Sequence, residues 1–282
     1  MTSKIFYSPA KINLFLKVIN KRKDGYHNLQ SLFTYIDLYD EIKITLKRDN
    51  KNLIKINNPS INCPTDEDLI FKACKMLLPK NFSAEINVKK NIPDGAGLGG
   101  GSSNAATMLI AINVLCDLNL SKEDLGNIGI NLGADVPFFI YDNTAIVEGV
   151  GDKITPIELA PIKLLLCYPN IKISTKDVFT SYKLTNKSKE LKITALSNFE
   201  DLIDELGNDL EAFVRQKNST INDLLSYLQQ FGVAKLTGTG SGCFLILNET
   251  INLNEVKDNL PKNVKFYEVT SVNYNIAYNA KH

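Results

Sequence analysis

Along the first half of the chain the spacing of apolar residues switches repeatedly between two periods. From 11 to 19 they fall at Ile12, Leu14, Leu16 and Val18, every second position, which predicts a strand. Residues 40–46 and 84–88 read as further strands, and 68–78 as a helix. Between Ser102 and Asp117 the apolar residues Ala105, Met108, Leu109, Ile112, Leu115 and Cys116 recur at helical spacing. Ser121 followed by Asp124 has the form of a capping box, opening a helix expected to stop at a left-handed Gly133. The pattern loosens near 155–161. A buried strand is then expected over 162–167, helices around 175–182, 208–215 and 221–231, a strand at 244–247, a helix near 254–259 and a strand at 264–272. These elements describe an α+β protein of two units, 1–155 and 156–282.

Composition narrows the function classes. The chain has 282 residues, 44% hydrophobic and 22% charged, enough to bury a sizeable core. Its 32 basic and 31 acidic residues leave a net charge of +1, so there is no global field for nucleic acid or an anionic membrane, and any anion site must be local. The lysine-rich stretches at 21–23 and 187–192 are short and read as solvated faces. Cys63, Cys74, Cys116, Cys167 and Cys243 are odd in number and scattered, which argues against a disulfide framework or a zinc site. Cys116 and Cys167 sit in apolar segments, as core residues would. With only His27 and His282, a multi-histidine metal site is excluded. The first residues lack the apolar run of a signal peptide, and no apolar stretch reaches the roughly 18 residues of a membrane span. A reducing cytoplasmic setting is expected.

The most informative segment is Ile92-Pro93-Asp94-Gly95-Ala96-Gly97-Leu98-Gly99-Gly100-Gly101-Ser102-Ser103-Asn104-Ala105-Ala106. Five glycines in seven residues carry a large conformational entropy cost, which a close approach of backbone to ligand justifies. The loop runs straight into the expected helix, whose first amides have no internal partner and face outward at the positive end of the helix dipole. That combination suits a di- or triphosphate. Ser102 and Ser103 can add hydroxyl contacts to phosphate or to magnesium. Asp94, in the neck of the loop, is expected to face away from the phosphates. No lysine follows the glycines, so this is not a P-loop of the usual NTPase kind, and a dinucleotide fold is a weak reading because the glycines are not preceded by a clear parallel strand with an acid about twenty residues on.

Two other segments belong with it. Ser8-Pro9-Ala10-Lys11-Ile12-Asn13-Leu14 puts Lys11 and Asn13 on one face of a strand and Ile12 and Leu14 on the other. Leu236-Thr237-Gly238-Thr239-Gly240-Ser241-Gly242-Cys243 is a second glycine-rich turn between strands.

In this order the three segments resemble the three motifs of the GHMP kinase superfamily, which includes galactokinase, homoserine kinase and mevalonate kinase. Asp24-Gly25-Tyr26-His27 and Gly133-Ala134-Asp135-Val136-Pro137 extend the likeness toward the branch whose substrate carries a cytidine diphosphate group. The resemblance runs from end to end, although 183–206 matches no motif. It implies a two-domain GHMP fold: an N-terminal ATP-binding domain with a left-handed βαβ crossover, and a ferredoxin-like α/β C-terminal domain. It further implies that ATP, with magnesium, phosphorylates the 2-hydroxyl of a cytidyl-diphosphate methylerythritol on the non-mevalonate route to isoprenoids. By the same resemblance Asp135 takes the hydroxyl proton, Lys11 polarises the attacking oxygen or the γ-phosphate, and residues 93–103 hold the triphosphate. Asn13 binds substrate, Tyr26 and His27 lie against the cytosine, and Phe179 closes the stack. Another GHMP-type kinase and an idle nucleotide-binding protein remain the alternatives, and the sequence leaves the oligomeric state and the metal ligands open.

Overall fold

The computed structural model describes residues 1–58, 65–182, 190–191 and 206–279. Cys63, His282 and, apart from Glu190 and Leu191, the stretch 187–192 lie outside them.

The frame of the N-terminal half is one long hairpin. Strand β1 (Thr2–Lys21) pairs antiparallel with β2 (His27–Arg48) along its whole length, from Thr2 opposite Leu46 to Lys21 opposite His27. The sequence pattern disclosed only the middle of β1 and the end of β2, because both strands are interrupted by polar residues that turn out to be buried. Register shifts at Pro9/Ala10, Asn13/Phe15 and Val18/Asn20 coil the ribbon, as bulges do. Strand β4 (Phe82–Lys89) pairs with β2, and β3 (Ile54–Asn57) runs parallel to β4, the two joined through helix α1 (Leu69–Leu77). This β3–α1–β4 connection is the parallel crossover of the domain.

Helix α2 (Gly100–Leu115) follows the glycine loop and is buried on every side from Ser103 to Ile112. A helix enclosed all round belongs in the middle of a core, here between the sheet, α1 and the short helix α4 (Val136–Tyr141). Helix α3 (Lys122–Gly129) opens with the capping box of Ser121 and Asp124. It ends at Ile130 in right-handed geometry, and Gly133 is not left-handed, contrary to the sequence expectation. The glycine that matters is Gly129, where a Cβ would stand 2.8 Å from both Ile140 and Val136, so its bareness lets α4 pack close. Strands β5 (Ala145–Gly149) and β6 (Lys153–Pro156) complete this part of the sheet.

The C-terminal half supplies β7 (Lys163–Tyr168), β8 (Ala234–Leu236), β9 (Cys243–Ile246) and β10 (Lys265–Val272), in the spatial order β10-β7-β9-β8 with every pair antiparallel. First strand beside the last, third beside the first and second at the edge is the ferredoxin-like arrangement. Its helices are α5 (Thr175–Ser181), α6 (Glu211–Lys217), α7 (Ser219–Leu228) and α8 (Leu253–Asp258). Strand β10 then reaches β2, pairing Ser271 with Ile36 and Val272 with Tyr35. Between the halves lies a separate apolar cluster: Ala10, Ile12 and Leu14 of β1, Ile92, Ala96 and Leu98 of the glycine loop, and Leu164, Leu166 and Phe244. The apolar face of the first motif is thereby glued to the inner side of the phosphate loop. Cys74, Cys116, Cys167 and Cys243 are all free thiols, and burial pushes Cys167 up to about 12.

Candidate active site

The glycine loop is shaped by Gly95, Gly97 and Gly99, which hold φ of 70°, 76° and 69°. L side chains avoid that region, so alternate glycines let the chain fold back on itself. It is also pressed against the second glycine turn. A Cβ on Gly97 would sit 2.3 Å from the Thr237 carbonyl oxygen, and one on Gly242 2.5 Å from the Ala96 carbonyl oxygen. The Ser241 and Gly242 amides donate to the carbonyls of Gly95 and Ala96 at 3.3 and 3.0 Å. The Lys11 amide donates to Leu98 O at 3.0 Å, and the Asn13 amide to Thr237 Oγ1 at 3.0 Å. The three motifs, more than two hundred residues apart at the extremes, thus interlock through backbone contacts and the Thr237 hydroxyl.

Below the loop a buried ion pair sets its neck. Asp40 is fully buried and accepts from the amides of Asn91 and Ile92 at 2.8 and 2.9 Å and from Lys90 Nζ at 2.5 Å. Asp94 turns its carboxylate toward the same lysine, 3.7 Å away, while its carbonyl accepts from the Tyr168 hydroxyl. Sequence reasoning missed Asp40 and Lys90, since nothing in the pattern pairs residues fifty positions apart. Pro93 and Asp94 form the neck, and the helix begins at Gly100, leaving the first amides (Gly100, Gly101, Ser102) at its open end. The Ser103 amide already donates to Gly99 O, and the Ser103 hydroxyl is buried against Ser8 Oγ at 2.7 Å. Ser103 therefore pins the helix to β1, and Ser102, half-buried, is the more accessible of the two serines.

Beside this cradle stand Lys11 and Asp135. Lys11 is 4% exposed and its Nζ lies 3.6 Å from Asp135 Oδ2. The ammonium also donates to Asn13 Oδ1 at 2.7 Å and rests 4.4 Å from the centre of the Phe33 ring. Burial lowers the Lys11 pKa below the ordinary lysine value, and the Asp135 charge works against that fall. Asp135 occupies the N-cap of α4 without capping it, so its side chain, about one third exposed, is left for Lys11 and for whatever enters from solvent. The helix behind it is held firmly: Tyr35 donates its hydroxyl to Phe138 O at 2.7 Å, and Asn275 donates its side-chain amide to Phe139 O. Gly99 matters here too, since a Cβ on it would meet Phe139 at 2.9 Å and Lys11 Cε at 3.2 Å.

The Asp24-Gly25-Tyr26-His27 segment is the tip of the long hairpin. Asp24 accepts from the Tyr26 amide, the Arg22 amide donates to Tyr26 O, and Gly25 takes φ of 90°. Tyr26 is exposed, whereas His27, the first residue of β2, is buried. The His27 ring packs against Phe179 of α5 with centroids 5.4 Å apart and a tilt of 31°, and meets Tyr182 edge-on at 6.4 Å. Burial, with the Lys21 charge, lowers the His27 pKa below the ordinary imidazole value. Its Nε2 is buried with no hydrogen-bond partner among the described residues. An orphaned ring nitrogen is costly unless a ligand atom satisfies it. Thr175 and Thr239 hydroxyls, 3.0 Å apart, tie α5 to the second glycine turn, so the base of this pole is shared with the phosphate loop.

The arrangement offers an anion cradle, a cation and carboxylate beside it, and a ring platform farther along β2. Family models agree with it: the GHMP kinases N terminal domain matches residues 68–143 and the GHMP kinases C terminal domain matches 189–265. The 4-diphosphocytidyl-2-C-methyl-D-erythritol kinase of Marinomonas sp. strain MWYL1 is 40% identical over 90% of this chain and 82% of its own length. That of Acinetobacter baylyi is 39% identical over 94% of each. The crystal structure of a 4-(cytidine 5'-diphospho)-2C-methyl-D-erythritol kinase superposes with a TM-score of 0.80 at 26% identity, covering 95% of this chain and 98% of the other. With identity at this level maintained across both domains, the chain belongs to the 4-diphosphocytidyl-2-C-methyl-D-erythritol kinase family of GHMP kinases.

Proposed function

We propose that this protein transfers the γ-phosphoryl group of ATP to the 2-hydroxyl of 4-diphosphocytidyl-2-C-methyl-D-erythritol, in the cytoplasm, on the non-mevalonate route to isoprenoid precursors. The observation that carries this is the Lys11–Asp135 pair, 3.6 Å apart at the edge of the glycine cradle. Residues 1–155 are assigned to ATP binding and 156–282 to the second domain. In phosphoryl transfer the protein's task is positioning and electrostatic stabilisation. The amides of Gly100, Gly101 and Ser102 face the triphosphate, and the bare backbone from Gly95 to Gly99 admits it closely. Asp135 accepts the proton of the substrate hydroxyl as its oxygen bonds to the γ-phosphorus. The bond from that phosphorus to the β–γ bridging oxygen breaks, and ADP leaves. Lys11 Nζ faces the oxygens on which charge gathers.

Magnesium, when bound with ATP, neutralises phosphate charge. Among the described residues no cluster of three or more acidic, histidine or cysteine side chains offers it a cage. Ser102 would be the fitting hydroxyl of the loop. Among the described residues no helix is long and apolar enough to cross a membrane.

The substrate assignment rests on the hairpin tip. His27 lies six residues before Phe33 on β2, about 20 Å of extended backbone, a separation suited to a long molecule with a base at one end and the reacting hydroxyl at the other. The His27 Nε2, without a hydrogen-bond partner among the described residues, fits the polar edge of a cytosine, with Phe179 and Tyr26 flanking the base and Asn13 nearer the hydroxyl. His27→Ala is expected to raise KM for the cytidyl substrate roughly tenfold to a hundredfold, the scale of losing a buried hydrogen bond and a ring contact. KM for ATP should stay within about twofold in the same steady-state assays. Equal rises in both constants would make His27 a scaffold residue and remove the support for a base at this pole.

A further inference from the structure

We propose that Phe33 is a positioning residue for phosphoryl transfer, acting through Lys11: its ring face holds the lysine ammonium where the reaction needs it. The proposal builds on the assignment of Lys11 and Asp135 as the reacting pair and adds a group that no motif contains.

The sheet register delivers the ring. Phe33 lies on β2 directly opposite Asn13 of β1, two pairs along from Lys11, which faces Tyr35, with Ile12 and Thr34 between. Lys11 and Asn13 share a strand face, so the ring comes diagonally under the lysine, within reach across an antiparallel pair. The ammonium rests 4.4 Å from the ring centre, well inside the range of a cation–π contact. Phe33 itself is buried, so water does not compete for this face. The ring also meets Phe138 edge-on at 5.1 Å, in the helix that carries Asp135 at its N-cap. A single ring therefore touches the cation and the helix of the carboxylate.

An ammonium has three N–H groups and must have company if it is to stay charged when buried. Asn13 Oδ1 accepts one, and Asp135 Oδ2 at 3.6 Å takes the direction of a second. A third carboxylate or carbonyl would consume the remaining donor and oppose a phosphate. The quadrupole of a ring steadies the cation without accepting a proton or occupying a donor, so one N–H stays available for the transferring group. Around the ammonium stand Asn13 from β1, Phe33 from β2, Asp135 from α4 and the backbone at Gly99 from the loop. Asp135 is the charged member of that set among the described residues. Burial already lowers the Lys11 pKa, so the ring's contribution matters to its charge.

The test separates ring electrostatics from ring shape. Replacing Phe33 with 4-fluoro-, 3,5-difluoro- and 3,4,5-trifluorophenylalanine drains the negative face in steps at nearly constant volume. With cytidyl substrate and ATP, kcat is expected to fall with each fluorine, by roughly threefold to thirtyfold across the series. The alkaline limb of kcat should move to lower pH, because a cation that loses stabilisation gives up its proton sooner. KM for ATP and the thermal midpoint should not move. NMR titration of the Lys11 ε-carbon in the same proteins, which needs no turnover, should show its pKa falling along the series. A flat Lys11 titration across the fluorinated series overturns the proposal, as does a Phe33→Leu protein that loses kcat only in step with its thermal midpoint. If the unsubstituted enzyme does not phosphorylate the substrate, the Lys11–Asp135 assignment fails, whereas the titration still decides what Phe33 does to Lys11.

Discussion

Replacing Asp135 with asparagine is expected to lower kcat by roughly a hundredfold to ten-thousandfold, the range a general base contributes, while ATP affinity and the thermal midpoint stay near wild type. The geometry makes the separation clean. Asp135 does not cap its helix, so its carboxylate can be neutralised without loosening α4. That helix is held independently by the Tyr35 and Asn275 hydrogen bonds to its carbonyls. Lys11→Met should cause a loss of the same order, because it removes the cation facing the transferring group. The double variant should be little worse than the more damaging single one, since groups that act as a unit are far from additive. Steady-state kinetics with nucleotide binding measured by calorimetry would check all three. Turnover within about tenfold of wild type in Asp135→Asn would remove it as the proton acceptor.

The second large effect is expected at Gly97. An alanine there must adopt φ of 76°, costing about 1–2 kcal/mol, and its Cβ would sit 2.3 Å from the Thr237 carbonyl oxygen. Neither partner can yield cheaply, because both are backbone. The two glycine turns must part, at a combined cost of about 2–5 kcal/mol when overpacking is added. Parting them also disturbs the Asn13 contact with Thr237, so KM for ATP and KM for the second substrate should both rise. Gly101→Ala is the comparison: its Cβ would meet only Leu69, 3.7 Å away, at a helical position without positive φ. Its stability should equal or slightly exceed wild type. Urea denaturation of the two variants should therefore differ by most of that penalty, and equal midpoints would mean the turns are not interlocked.

The contrast between these glycines shows what the sequence can carry. The glycine run was legible as a tight loop leading straight into a helix, and the Lys11–Asn13 alternation placed both side chains on one strand face, as the 2.7 Å bond between them shows. The capping box at Ser121 was legible because its signal is local. The Asp40–Lys90 pair was not, since a buried ion pair across fifty residues leaves no periodic trace. Helix α4 escaped as well: its six residues open with Val136-Pro137 and five of them are buried, too short and too apolar to show a helical stripe. Phe33 fell in a stretch to which the pattern assigned no element, and its value lies in the register that sets it diagonally from Lys11. Gly133 was misjudged for a similar reason: close packing of α3 on α4 placed the need for a bare residue at Gly129.

The most direct test of the central claim is ADP release by the purified protein, coupled to a spectrophotometric readout, with 4-diphosphocytidyl-2-C-methyl-D-erythritol, mevalonate and homoserine offered in parallel. Saturable, ATP-dependent turnover with the cytidyl compound, at least a hundredfold above the other two in kcat/KM, is the predicted result. A preference for mevalonate or homoserine, or binding of ATP without turnover of any of the three, would contradict it.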